Sequence, residues 1–132
     1  MLFRSPHLLF EGGKSYHLDD AITAIAINGV KRLLAHLGML RAPFKAPKSK
    51  QKCVFITESR WQRANHSGMF KSSIDINARV KKGQVIGEIT DPYGKLNYAV
   101  KAEYSGYIIN VNHSPVVYQG DALFHLSTKL KK

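Results

Sequence analysis

Ser67-Gly-Met-Phe70, followed by Val80-Lys-Lys-Gly-Gln-Val-Ile-Gly-Glu-Ile89, is echoed by Ser105-Gly-Tyr-Ile108, followed by Val117-Tyr-Gln-Gly-Asp-Ala-Leu-Phe-His-Leu126. In each copy a valine precedes a glycine by three positions, and an aliphatic residue closes the unit six positions later. Gly106 follows Gly68 by 38 residues and Gly120 follows Gly83 by 37, so the copies keep register within one residue. Short apolar runs punctuated by turn glycines read as strands. Two such units on one chain predict a pseudo-twofold β structure in which each covers the other's apolar face. Val-x-x-Gly is also a common turn signature, so chance similarity of hairpins is the competing account.

Working outward, strands are expected at Cys53–Thr57, Gly68–Lys71, Gln84–Ile89, Leu96–Lys101, Tyr107–Val111 and Ala122–Leu126. Asp91-Pro-Tyr-Gly94 marks a turn between two of them. Many short strands with frequent turns predict a small all-β barrel or sandwich. Upstream, Pro43 and Pro47 stand among lysines and mark a boundary. Before it, Asp19 or Asp20 caps a helix whose apolar positions, Ile22, Ile25, Ala26, Val30, Leu33, Leu34 and Leu37, follow a 3.6-residue period. Lys31, Arg32 and His36 suit its C-terminal dipole, and Gly38 suits a left-handed terminus. Leu8–Phe10 reads as a short strand closed by Glu11-Gly12-Gly13.

Composition narrows the function classes. The chain has 132 residues, 44% of them hydrophobic, which is room for one compact domain with a flanking piece. Twenty Lys and Arg against nine Asp and Glu give a net charge of +11. Much of that excess lies in the run Arg41–Lys52 and the tail Lys129–Lys132, where basic residues read as solvated spacers. The single Cys53 excludes an internal disulfide and a multi-cysteine zinc site, and it reads as a buried, inert thiol. No stretch approaches the roughly 18 apolar residues of a spanning helix, and a chain without disulfides fits the cytoplasm.

Several of these stretches, in this order and spacing, resemble the succinylglutamate desuccinylase/aspartoacylase family. Phe10-Glu-Gly-Gly13, the capped helix and Leu37-Gly-Met-Leu40 look like the strand and helix that close its catalytic domain. Ser59-Arg-Trp-Gln-Arg-Ala64, Ser67–Phe70, Val80–Ile89, Thr90-Asp-Pro-Tyr-Gly94 and Gly120–His125 look like its C-terminal β domain. The similarity covers roughly residues 6 to 127. It implies a mainly β chain. In it a barrel-sandwich hybrid, the fold of biotinyl and lipoyl domains, follows a strand–helix remnant of a carboxypeptidase-like α/β domain. The implied boundaries are 1–40 for that remnant, 41–52 for the linker, 53–128 for the β domain and 129–132 for the tail.

The resemblance also implies chemistry. In the complete enzyme a zinc ion polarises the linear amide of an N-acyl amino acid or a similar acylated amine. A glutamate serves as general base and then general acid, because zinc alone does not carry the proton to the leaving amine. The matching position is Glu11, and the two glycines after it would let the backbone turn away and leave the carboxylate facing a cavity. The family's His-x-x-Glu pair is missing. His7 and Glu11 have three intervening residues, and on a strand they stand about 13 Å apart. The chain is therefore expected to be the C-terminal portion of such a hydrolase, to bind no zinc by itself and to be inactive alone. Its β domain is expected to shape substrate access or to form a homo-oligomer contact.

Other readings compete. His7, His17, His36, His66, His113 and His125 are scattered, without the convergence a zinc site needs. Trp61, Phe70, Tyr93, Tyr98, Tyr104, Tyr107, Tyr118 and Phe124 alternate with basic residues as in single-strand nucleic-acid binders, though core and cross-strand aromatics give the same pattern. Lys95, after Asp91–Gly94, stands where biotinyl and lipoyl carriers present their modified lysine, but lacks the Met-Lys-Met or Asp-Lys-Ala neighbourhood. A stand-alone binding or carrier module is the alternative function. The helix stripe needs a cover, expected from the β domain or a second copy of the chain.

Overall fold

A computed structural model describes residues 7–13, 18–49 and 53–131, and the chain divides into two compact units, Met1–Lys52 and Cys53–Lys132. The first holds one helix, α1, Asp20–His36. Of the two candidate caps, Asp19 does the work: its carboxylate accepts the Ile22 N–H at 3.1 Å. The other end closes with Gly38 at φ 69°. The Gly38 N–H reaches the Ala35 carbonyl (3.2 Å) and the Met39 N–H the Leu34 carbonyl (2.8 Å), the two bonds of a Schellman terminus. None of the helix residues is buried, and Ile25, Val30 and Leu33 are 44%, 55% and 39% exposed.

The strand expected at Leu8–Phe10 does not form. A strand holds its shape by a ladder of paired N–H and C=O groups, and no described residue pairs with this run. Leu8 and Leu9 stand open to solvent instead.

The second unit contains β1 Ile56–Arg63, β2 Gly68–Ser72, β3 Arg79–Val80, β4 Val85–Thr90, β5 Asn97–Lys101, β6 Gly106–Val111, β7 Val116–Val117 and β8 Ala122–Leu130. They form two four-stranded sheets, in the orders β1-β8-β6-β3 and β5-β4-β2-β7, and every pairing is antiparallel. Two strand readings need correction. The first strand runs from Ile56 rather than Cys53, through the polar stretch that β8 pairs up to Arg63↔Ala122. Apolarity suggested the wrong window, since Cys53, Val54 and Phe55 are all exposed. The thiol read as buried is thus at the surface. In turn β8 extends to Leu130, taking in Lys129, which read as tail.

The repeat is real at the level of individual hydrogen bonds. Replacing β2, β3, β4 and β5 by β6, β7, β8 and β1 converts one sheet order into the other. Each unit lends its short middle strand to the opposite sheet, β3 to β6 and β7 to β2. Gly83 (φ 84°) donates to the Ala102 carbonyl at 2.8 Å, and Gly120 (φ 95°) to the Ala64 carbonyl at 2.8 Å. The turn amide of Lys81 is capped by Gln84 Oε1 at 3.0 Å, and that of Tyr118 by Asp121 Oδ2 at 2.8 Å. Ser105 Oγ accepts from Lys82 N–H and Ser67 Oγ from Gln119 N–H. Equivalent positions therefore carry equivalent bonds, which chance hairpins do not.

Between the sheets lie Phe70, Val80, Ile86, Ile89, Ile108, Val117, Leu123, Phe124 and Leu126, each at most 7% exposed. One difference between the copies is what fills the centre. Gly87 and Phe124 are equivalent, and a Cβ on Gly87 would lie 3.0 Å from the Phe70 ring and 3.5 Å from that of Phe124. Small against large lets one aromatic ring enter where its twin position leaves room. Phe70 and Phe124 meet edge to face, centroids 5.6 Å apart at 81°.

Candidate functional site

Glu11 lies on the irregular segment 7–13, exposed to solvent. The two glycines behind it differ. Gly13 adopts φ 90°, which favours glycine. Gly12 packs so close that a Cβ there would lie 2.9 Å from Ile22 Cγ2 and 2.9 Å from Phe10 Cζ. At Gly12 the segment thus passes close to Ile22 in the first turn of α1.

Among the described residues no three His, Cys, Asp or Glu side chains come together in a way that could hold a metal ion. A zinc ion does not fit the residues described. His17 lies outside the described residues. His125 stacks flat on Trp61, centroids 4.4 Å apart at 7°, with its Nε2 2.8 Å from Ser59 Oγ. His66 stacks on Tyr98 at 3.7 Å and 16°. His125 and His66 are thus ring partners of aromatics.

The aromatic residues do not form one stacking platform. Phe70 and Phe124 are core. Tyr104 and Tyr107 lie beneath the guanidinium groups of Arg60 (5.7 Å) and Arg79 (6.0 Å). Tyr93 and Tyr118 are exposed at separate turns.

Lys95 is exposed in the connection between the paired strands β4 and β5. Asp91 fixes that turn. Its carboxylate accepts the Leu96 N–H at 2.7 Å, and its carbonyl accepts the Gly94 N–H at 3.1 Å.

One feature was not legible in the sequence. A cavity of about 430 Å³ opens in the β unit, lined by residues of β1 and its following loop and of β5, with Ile89 and Leu123 among its walls. Gln62 borders it and is 4% exposed. Its Nε2 donates to the Lys101 carbonyl at 2.8 Å and its Oε1 accepts the Glu103 N–H at 3.1 Å, joining an edge strand of one sheet to an edge strand of the other. The two lips of the cavity are more than thirty residues apart in the chain, and no local spacing announces their meeting.

With this geometry the chain is similar to solved structures of known kind. A succinylglutamate desuccinylase from Silicibacter sp. superposes with a TM-score of 0.67 at 21% identity, over 87% of this chain and 35% of that one. A succinylglutamate desuccinylase/aspartoacylase from Rhodobacter sphaeroides gives 0.69 at 15% identity, over 83% and 36%. An aspartoacylase family protein from Mesorhizobium loti gives 0.66 at 19% identity, over 84% and 40%. The chain has the fold of the C-terminal part of the succinylglutamate desuccinylase/aspartoacylase proteins. It spans between 35% and 40% of the length of these three. No protein-family model matches the sequence, and no curated protein matches it either. The desuccinylase fold is thus carried by backbone geometry, at an identity where few side chains are shared.

Proposed function

We propose that this chain is the C-terminal part of an amide hydrolase that cleaves the linear amide of an N-acyl amino acid or a similar acylated amine. The observation that carries this reading is the fold match, over 83–87% of this chain but little more than a third of each desuccinylase-type structure. In the same reading the two sheets are a barrel-sandwich hybrid, and residues 1–40 belong to a carboxypeptidase-like α/β domain. Zinc belongs to the complete enzyme, held by residues outside those described. Glu11 takes the proton of the attacking water and returns it to the leaving amine, work that requires a positioned carboxylate. The β unit shapes substrate access or a contact between copies, and the chain alone is inactive.

A chimera tests it. The catalytic part of the Silicibacter desuccinylase is joined to this chain in place of its own C-terminal part, and turnover of N-acyl amino acids is followed. Turnover is expected, with Glu11→Gln lowering kcat on the order of 10²- to 10⁴-fold. A folded, zinc-loaded chimera without turnover, or one indifferent to Glu11→Gln, sinks the proposal.

The placement of Lys95 on a stapled hairpin tip favours one second reading, a carrier or binding module. Intact mass of the native protein decides it. A biotinyl or lipoyl adduct on Lys95 establishes the carrier, and an unmodified mass leaves the hydrolase reading in place.

A further inference from the structure

At the centre of α1 an asparagine is followed directly by a glycine, Asn28-Gly29. Such a pair can react with itself. The backbone nitrogen of the glycine attacks the side-chain Cγ of the asparagine, a C–N bond forms, and the side-chain nitrogen leaves as ammonia. The cyclic imide then takes up one water and opens at either carbonyl, to aspartate or to isoaspartate. Water is the sole co-reactant. Glycine hinders the attack least, because it has no Cβ and its backbone reaches conformations closed to other residues.

The structure sets this pair apart from the other asparagines. Asn65, Asn77, Asn97, Asn110 and Asn112 are followed by histidine, alanine, tyrosine, valine and histidine. Asn112 is held at both ends of its amide, donating to the Ala122 carbonyl at 2.9 Å and accepting the Ser114 N–H at 2.8 Å. Asn97 donates to Glu88 Oε2 at 2.9 Å. No hydrogen bond among the described residues holds the side chain of Asn28. A Cβ on Gly29 would meet no atom within 4 Å, so the surroundings of the pair are open.

While α1 is formed, the Gly29 N–H is committed to the helical ladder, which keeps its nitrogen from attacking. Reaction therefore waits for local opening. A helix of 17 residues with nothing buried opens readily, and a glycine at its centre lowers its propensity further. We propose that Asn28 is a self-modifying site, deamidating through Gly29 when α1 opens, with an isoaspartate product that prevents the helix from closing again. Isoaspartate carries its Cβ methylene in the main chain and so breaks the ladder at that point. Aspartate at the same position stands four residues before Arg32 and supports the helix instead. The proposal rests on α1 alone and stands without the hydrolase reading.

The full chain is incubated at neutral pH, its peptides are followed by mass spectrometry, and released ammonia is measured in parallel. Conversion is expected at Asn28 at least about tenfold faster than at any other asparagine. Gly29→Ala slows it by at least about tenfold, because a methyl group now stands beside the attacking nitrogen. Asp19→Ala uncaps α1 and speeds it about two- to fivefold, because more of the population is open. The isoaspartate form, separated by chromatography, loses helical circular dichroism, whereas Asn28→Asp keeps it, which distinguishes a broken main chain from an added charge. Conversion elsewhere first, or none at Asn28, overturns the proposal. So does a rate indifferent to Gly29→Ala or to Asp19→Ala, or unchanged helicity in the isoaspartate form.

Discussion

Gly106 shows how a single hydrogen atom in place of a side chain carries the repeat. A Cβ on Gly106 would collide with the carbonyl and hydroxyl of Ser127, and one on Gly68, the equivalent residue, with the carbonyl of Thr90. Ser127 and Thr90 are themselves equivalent, so both copies demand the same close approach. Gly106→Ala is expected to destabilise the protein by about 2 kcal/mol, the scale of overpacking against backbone, measured as a lower urea midpoint. Gly120→Ala meets no atom within 4 Å and strains only its φ of 95°. It should cost about 1 kcal/mol in the same assay, and a reversed order of the two would contradict the geometry. Gln62→Leu strands the Glu103 N–H and the Lys101 carbonyl, both of which the amide now satisfies. About 1 kcal/mol of lost stability is expected from two part-buried backbone groups that lose their partner, read from chemical denaturation.

The two kinds of element take their stability from different sources. The strands β4, β6 and β8 bury side chains on both sides of an apolar seam. In α1, by contrast, no residue is buried, and a 17-residue helix without packing is marginal in water. Amides of α1 should therefore exchange with deuterium well ahead of those of β4 and β8. Local changes should move α1 directly. Asp19→Ala removes the bond to the Ile22 N–H and should weaken the helix by about 1 kcal/mol. Gly29→Ala, with open space around the new methyl group, should strengthen it by about 0.5–1 kcal/mol. Helical circular dichroism reads both, and equal helicity in the two variants would show that something other than local propensity holds α1.

At the scale of the whole molecule, the division at Lys52/Cys53 separates a helix with nothing buried from a β unit with a complete core. A fragment of residues 53–132 should fold alone, since the buried apolar cluster lies entirely within it. Its far-UV β signal and a single cooperative thermal transition would establish this. Non-cooperative melting of the fragment would show that residues before Cys53 belong to the folding unit. No helix among the described residues is long and apolar enough to cross a membrane. The apolar positions Ile25, Val30 and Leu33 of that helix are 44%, 55% and 39% exposed.

The sequence by itself determined the local grammar of this protein. Asp19 or Asp20 and Gly38 bound the helix, the two Val-x-x-Gly turns announce the duplication, and Asp91–Gly94 marks the hairpin that carries Lys95. These depend on neighbours a few residues apart, whose conformational preferences do not need the rest of the chain. Tertiary structure decided what depends on partners far away. It moved the first strand onto Ile56–Arg63 because β8 pairs there, and left Leu8–Phe10 irregular because nothing described pairs with it. It exposed Cys53 and brought β1 against β5 to make a cavity. Hydrogen-bond ladders and cavity walls are made by two segments at once, so their positions are written in neither segment alone.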